Sequence, residues 1–147
     1  MSSKEHPDIT SPKINSIEED LGFFDDWEDR YRYLIDLGKA LPSMPDNLKT
    51  PDNIVHGCTS QVWLEANLNP ETQQVRLQMD SDALIVRGLL ALVAAAYANK
   101  TPEAIVAYDI NALFDRLDLL SHLSMTRGNG LQAMVQRIQT LSAEMAN

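Results

Sequence analysis

The residue whose type and setting most invite chemistry is Cys58, the only cysteine among 147 residues. A thiolate is a strong nucleophile, and neighbours that stabilise the anion raise its reactivity at neutral pH. Cys58 follows Gly57, whose missing Cβ permits left-handed backbone and close approach by another molecule. His56 lies two residues earlier, and the hydroxyls of Thr59 and Ser60 follow. A Cys–His hydrolase would need His56 or His122 within hydrogen-bond reach of the sulfur, with a third group orienting the ring. No oxyanion-hole motif accompanies either histidine. The plain alternatives are a small buried hydrophobe and a non-catalytic helical interaction module with an inert thiol. One cysteine cannot form an internal disulfide, and scattered His and Asp offer no metal-ligand spacing, so no metal or other cofactor is expected.

Other side chains bear on the same region. Asp80-Ser81-Asp82 is expected to cap the helix that follows. Arg87 is the one charge inside an apolar helical run, and it must reach solvent or meet Asp80 or Asp82. Arg127-Gly128-Asn129-Gly130 reads as an anion-binding nest or a flexible cap ahead of the last helix. Trp27 and Trp63 read as core packing.

These groups need a scaffold, and periodicity supplies one. Ser16 to Glu19 has capping-box spacing for a short first helix. Asp25 with Glu28 offers a second start, followed by Trp27, Tyr31, Leu34, Ile35, Gly38 and Leu41 on one helical face. Pro42 and Pro45 end that helix, and residues 42–60 read as loop. Val62, Leu64, Ala66 and Leu68 alternate with polar partners, as do Val75, Leu77 and Met79. Asn69-Pro70-Glu71-Thr72 between them makes the pair a β-hairpin. An almost wholly apolar helix is expected from about Ala83 to Ala98, and another from Thr101-Pro102. A short helix capped by Asn111 and a last helix from about Gly130 complete the chain. The expected fold is α+β, with helices packed on one face of a small antiparallel sheet. Residues 1–13 are expected to form a flexible tail and residues 14–147 a single domain.

Composition narrows the partners. The 44% hydrophobic content supports a globular fold. The net charge of −9 disfavours nucleic acid and anionic membranes. Residues 1–29 carry −7 of that charge, either as a solvated segment or as a docking strip for a basic partner. Met1 to Pro12 lacks a secretory pattern, and Leu84–Ala98 is too short to span a bilayer, which points to a reducing cytoplasm.

Gly57-Cys58-Thr59-Ser60-Gln61-Val62-Trp63 and Asp80-Ser81-Asp82-Ala83-Leu84-Ile85-Val86-Arg87-Gly88-Leu89 resemble the SufE family of sulfur-acceptor proteins. Trp27-Glu28-Asp29-Arg30-Tyr31, Leu41-Pro42 and Arg127-Gly128-Asn129-Gly130-Leu131 extend the resemblance in order from about residue 20 to residue 145. Met79 stands where the family often has glycine. The resemblance implies a SufE/IscU-like fold and an accessory protein with no cofactor of its own. It implies a persulfide acceptor at Cys58 that takes sulfur from a PLP-dependent cysteine desulfurase of the SufS or CsdA type. The sulfur would then pass to an iron–sulfur scaffold complex. Gly57, Cys58 and Arg127 are expected at the working site, with His56 beside them. Gln61 and Trp63 are expected to shape the loop base, and Asp82 and Ser81 to face the partner.

Overall fold

The computed structural model describes residues 14–58 and 60–146, so the expected tail over residues 1–13 lies outside the described residues. Helices α1 (Ile14–Phe23) and α2 (Trp27–Ala40) come first. Strands β1 (Val62–Leu68) and β2 (Val75–Ser81) follow. Helices α3 (Leu84–Ala96), α4 (Pro102–Ala107), α5 (Ile110–Arg116) and α6 (Met125–Ala146) complete the order. This is the expected α+β architecture.

The hairpin pairs antiparallel from Val62↔Ser81 to Leu68↔Val75. Strand alternation sends Val62, Leu64, Val75 and Met79 into the core, while Asn67 and Arg76 stay in solvent. The buried face meets the helices, with Leu89, Leu90, Leu92 and Val93 of α3 fully enclosed. Helix α3 also packs backbone to backbone on α2. A Cβ at Gly88 would lie 2.1 Å from the Leu34 carbonyl oxygen, and one at Gly38 would lie 2.6 Å from the Gly88 nitrogen. Only glycine at both positions permits this approach.

Several helix starts differ from expectation. Helix α1 is already running at Ile14, so Ser16 is inside it. Ile14, Ile17 and Leu21 form a stripe on the core, and that packing outweighs the local capping signal. Asp26, not Asp25, caps α2: its backbone is extended and its carboxylate accepts the Glu28 N–H at 2.8 Å. Asp109, not Asn111, caps α5, accepting from Ala112 N–H. Thr101 caps α4 as expected. Helix α3 follows Ala83 and has no side-chain cap, because β2 continues through Ser81 and Asp80 is turned inward. Helix α6 starts at Met125 rather than near Gly130. The Ser124 hydroxyl accepts the Arg127 N–H and the Ser124 carbonyl accepts the Gly128 N–H. Residues 127–130 are therefore helical, and no anion nest forms there.

Candidate functional site: a thiol loop seated on two helices

The loop carrying Cys58 is tied at its base. Ile54 bridges to Trp63, and Val55 N–H donates to the Val62 carbonyl at 2.9 Å. Gln61 sits on the returning limb, where its N–H donates to the Asp82 carboxylate at 3.1 Å. Asp82 N–H in turn donates to the Gln61 carbonyl at 3.4 Å. Trp63 is half-buried, with the Lys49 ammonium 5.1 Å from its ring centroid. Gly57 has φ +96°, a left-handed conformation that turns the chain so that Cys58 points back at the helices.

Cys58 is half-buried, and its Sγ lies 3.6 Å from the Gly130 carbonyl oxygen as hydrogen-bond donor. A Cβ at Gly130 would stand 3.2 Å from that sulfur, so the glycine forms the notch that seats the thiol. Beside Sγ is a space of about 20 Å³ lined by Val86 and Leu89 of α3 and by Arg127, Gly130, Leu131 and Met134 of α6. That volume admits roughly one water-sized atom. Burial pushes the Cys58 thiol pKa up, since its mostly apolar surroundings solvate the anion poorly. The seated sulfur is thus a neutral thiol at rest, and an attacking thiolate forms more readily once the loop lifts it into water.

The structure brings Gly57, Cys58 and Arg127 together. Arg127 is exposed in the first turn of α6, and no carboxylate pairs with it among the described residues. Asp82 is exposed, whereas Ser81 is buried and its hydroxyl accepts the Ala83 N–H. Ser81 therefore serves the β2–α3 corner and offers no side chain to a partner. His56 is exposed and makes no hydrogen bond to Cys58. His122 stacks on Trp27 at 4.1 Å, receives the Tyr31 hydroxyl at its carbonyl and turns Nδ1 towards Asp118. Neither histidine is held against the sulfur, so a Cys–His hydrolase pair does not form. Two exposed apolar side chains, Leu84 and Met125, stand at the starts of α3 and α6, the two helices that line the thiol pocket.

A second polar cluster fixes the scaffold behind this site. Asp80 is 3% exposed; its carboxylate accepts from Met44 N–H at 3.0 Å and Ser81 N–H at 2.8 Å, and pairs with Arg87 and Lys49. Burial works against ionisation of Asp80, but those N–H groups and cations outweigh it and hold the carboxyl below the usual range. Arg87 also donates to the Gly38 and Leu41 carbonyls, so one guanidinium joins the end of α2 to β2 and α3. Sequence reasoning allowed the Arg87–Asp80 contact but missed Gly130 as the seat of the thiol. The signal was its place in the Arg-Gly-Asn-Gly run, which reads as an anion nest or a flexible cap until its contact is seen.

Among the described residues no group of three or more His, Cys, Asp or Glu is placed to hold a metal ion. No described helix is long and apolar enough to cross a membrane. A lone thiol on a glycine-turned loop, seated between two helices of an α+β domain, defines a single-cysteine protein in which no histidine among the described residues is held against the sulfur. Residues 15–142 match the SufE family, described as an Fe-S metabolism associated domain, and the chain belongs to that family. It is similar to an uncharacterized SufE-like protein of Rhizobium etli, 48% identical over 128 residues and covering 86% of each chain. A second such protein, from Rhizobium meliloti, is 44% identical over 129 residues, covering 86% of this chain and 92% of the other. The solution structure of a hypothetical protein from Thermus thermophilus shares the fold, with a TM-score of 0.74 at 20% identity. That match covers 92% of this chain and 97% of the other.

Proposed function

We propose that this protein is a covalent sulfur carrier: Cys58 accepts sulfur from the persulfide of a PLP-dependent cysteine desulfurase and passes it on for iron–sulfur cluster assembly. In the transfer, the Cys58 thiolate attacks the terminal sulfur of the donor persulfide. A new S–S bond forms on Cys58, the donor S–S bond breaks, and the donor cysteine leaves as thiolate. No net oxidation or reduction is required, and the protein needs no cofactor of its own. It acts as an accessory protein in the cytoplasm rather than as an enzyme with its own substrate, and residues 14–147 form its one domain.

The observation that carries this reading is the seat of Cys58. The space beside Sγ has room for about one further atom, which suits the outer sulfur of a persulfide. Persulfides left in solvent are lost to oxidants and reductants, so a carrier gains from a pocket that shelters the loaded sulfur. Gly57 is the hinge, Gly130 the seat and Arg127 the cation at the pocket mouth. Gln61 and Trp63 shape the loop base, and His56 lies on the loop surface. Asp82, together with the exposed Leu84 and Met125, forms the rim that meets the desulfurase. Docking there supplies the differential binding that draws the thiol out.

The test is the rate of alanine release from L-cysteine by a PLP-dependent cysteine desulfurase, with the reductant held constant. Wild-type protein raises the rate and Cys58→Ser does not. Equal stimulation by Cys58→Ser would end the proposal.

A further inference from the structure

The hairpin has one edge that the fold leaves open. In the ladder, Asn69 N–H donates to the Gln74 carbonyl, and Asp82 N–H to the Gln61 carbonyl. Even-numbered residues of β2 therefore face β1, and odd-numbered ones point their backbone groups outward. Val75 N–H is taken by the Lys100 carbonyl, and Ser81 N–H by the Asp80 carboxylate. Between these two anchors the outward N–H and C=O of Leu77 and of Met79 have no hydrogen-bond partner among the described residues.

This open stretch floors a groove of about 580 Å³ that shares no lining residue with the Cys58 pocket. Leu41 to Met44 bound one end of it and Tyr97 to Asn99 the other. From Val75 to Asp80 the free edge runs roughly 17 Å, enough for a strand of about five residues. Met44 and Lys100 tie the two flanking segments to the ends of the edge. The β2 of a second copy offers Arg76 no free carboxylate, since its outward face carries Gln74, Arg76 and Gln78 and its Asp80 is buried. Arg76 is the only charged residue in the lining, it is exposed, and no carboxylate pairs with it among the described residues. In a chain of net charge −9 this is a local cation beside an apolar wall.

We propose that the free edge of β2 is a docking groove for an extended segment of a partner protein, apolar on one face and bearing a carboxylate, which adds to the sheet as a strand. The open Leu77 groups give it two main-chain hydrogen bonds. The apolar wall takes the side chains that point inward, and Arg76 selects an acidic residue on the outward face. Because this groove is separate from the thiol pocket, the segment binds whether or not Cys58 is engaged, and the inference stands apart from the sulfur-carrier reading.

The test is an amide NMR titration of the full chain with the peptide Ac-VTVDV-NH2. Its aspartate falls opposite Arg76 when its central valine falls opposite Leu77 in antiparallel pairing. Expected are shift changes at Leu77 and at residues 41–44 and 97–99, with Leu77 hydrogen exchange slowed about tenfold at roughly 90% occupancy. Ac-VTVKV-NH2 should bind about five- to tenfold more weakly, and Arg76→Glu should reverse that order. The proposal is overturned if the two peptides bind equally, if neither binds, or if the shifts centre on Cys58. It is also overturned if Leu77 exchange is already slow in the free protein. Dependence on protein concentration would then assign the edge to a second copy, and loss on deleting residues 1–13 would assign it to the chain's own N-terminal segment.

Discussion

Gly130→Ala separates the seat of Cys58 from the stability of the helix beneath it. The new methyl carbon would lie 3.2 Å from Sγ and 3.7 Å from both Cα and Cβ of Cys58. The contact with Sγ is tight and the other two are ordinary, and the neighbour that must yield is the end of a loop. Overpacking by one carbon costs about 1–2 kcal/mol here, at the low end of the usual range because the loop can shift. That cost falls on the closed loop alone, so the open population rises roughly 5- to 30-fold. Within α6 the same change favours helix, by about 0.5–1 kcal/mol over glycine. Gly128→Ala is the matched control: it lies in the same helix, and its Cβ would meet only Leu120 Cδ2 at 3.9 Å. The assay is pseudo-first-order alkylation of Cys58 by iodoacetamide at fixed pH, paired with thermal unfolding. Gly130→Ala should alkylate roughly 5- to 30-fold faster than wild type. Gly128→Ala should match the wild-type rate and melt about 2–4 °C higher. Unchanged or slower alkylation of Gly130→Ala, in a protein that still unfolds cooperatively, would refute the reasoning that Gly130 seats the thiol.

Four further outcomes follow from the same geometry. Asp82→Ala removes the acceptor for Gln61 N–H, a bond worth about 0.5–1 kcal/mol at this exposed site, so Cys58 alkylation should rise about two- to fivefold. Asp80→Asn leaves Arg87 and Lys49 facing a neutral group at a buried site; it should cost about 3–5 kcal/mol in chemical denaturation. Asp80 has its pKa depressed in the folded state, so its contribution is present above the unfolded carboxylate pKa and is lost as pH falls through the folded one. The acid-side slope of stability should therefore flatten in Asp80→Asn. Cys58 has its pKa raised by burial. Its contribution is present below the ordinary thiol pKa and is lost as pH climbs through the folded value, so Cys58→Ala should flatten the alkaline slope.

What the sequence made legible was set by strong, local signals. The hairpin showed in two alternating runs around an Asn-Pro turn, and the structure pairs Val62–Leu68 with Val75–Ser81. Cys58 stood out through Gly57 and through the motifs around both. Helix starts were less legible, because competing carboxylates sit one or two residues apart, as with Asp25 and Asp26, or compete with a nearby amide, as with Asp109 and Asn111. Which one caps depends on the entry angle of the chain, and tertiary packing decides that. Asp80 was read both as a cap and as a possible partner of Arg87; the structure keeps only the second role, because Arg87 and Lys49 draw the carboxylate inward. Gly130 was read as part of an anion nest or a flexible cap because its partner is 72 residues away. The groove along β2 was invisible for the same reason: its walls come from residues 41–44 and 97–99, joined only by the fold.

The central claim is that sulfur becomes covalently attached to Cys58. The most direct measurement incubates the protein with a PLP-dependent cysteine desulfurase and [³⁵S]-L-cysteine without reductant, then maps the label by peptide mass spectrometry. The account predicts one reducible sulfur on the peptide containing Cys58, released by dithiothreitol and absent from Cys58→Ser. Label on Cys58→Ser, or none on the wild type while the desulfurase itself is loaded, would contradict it.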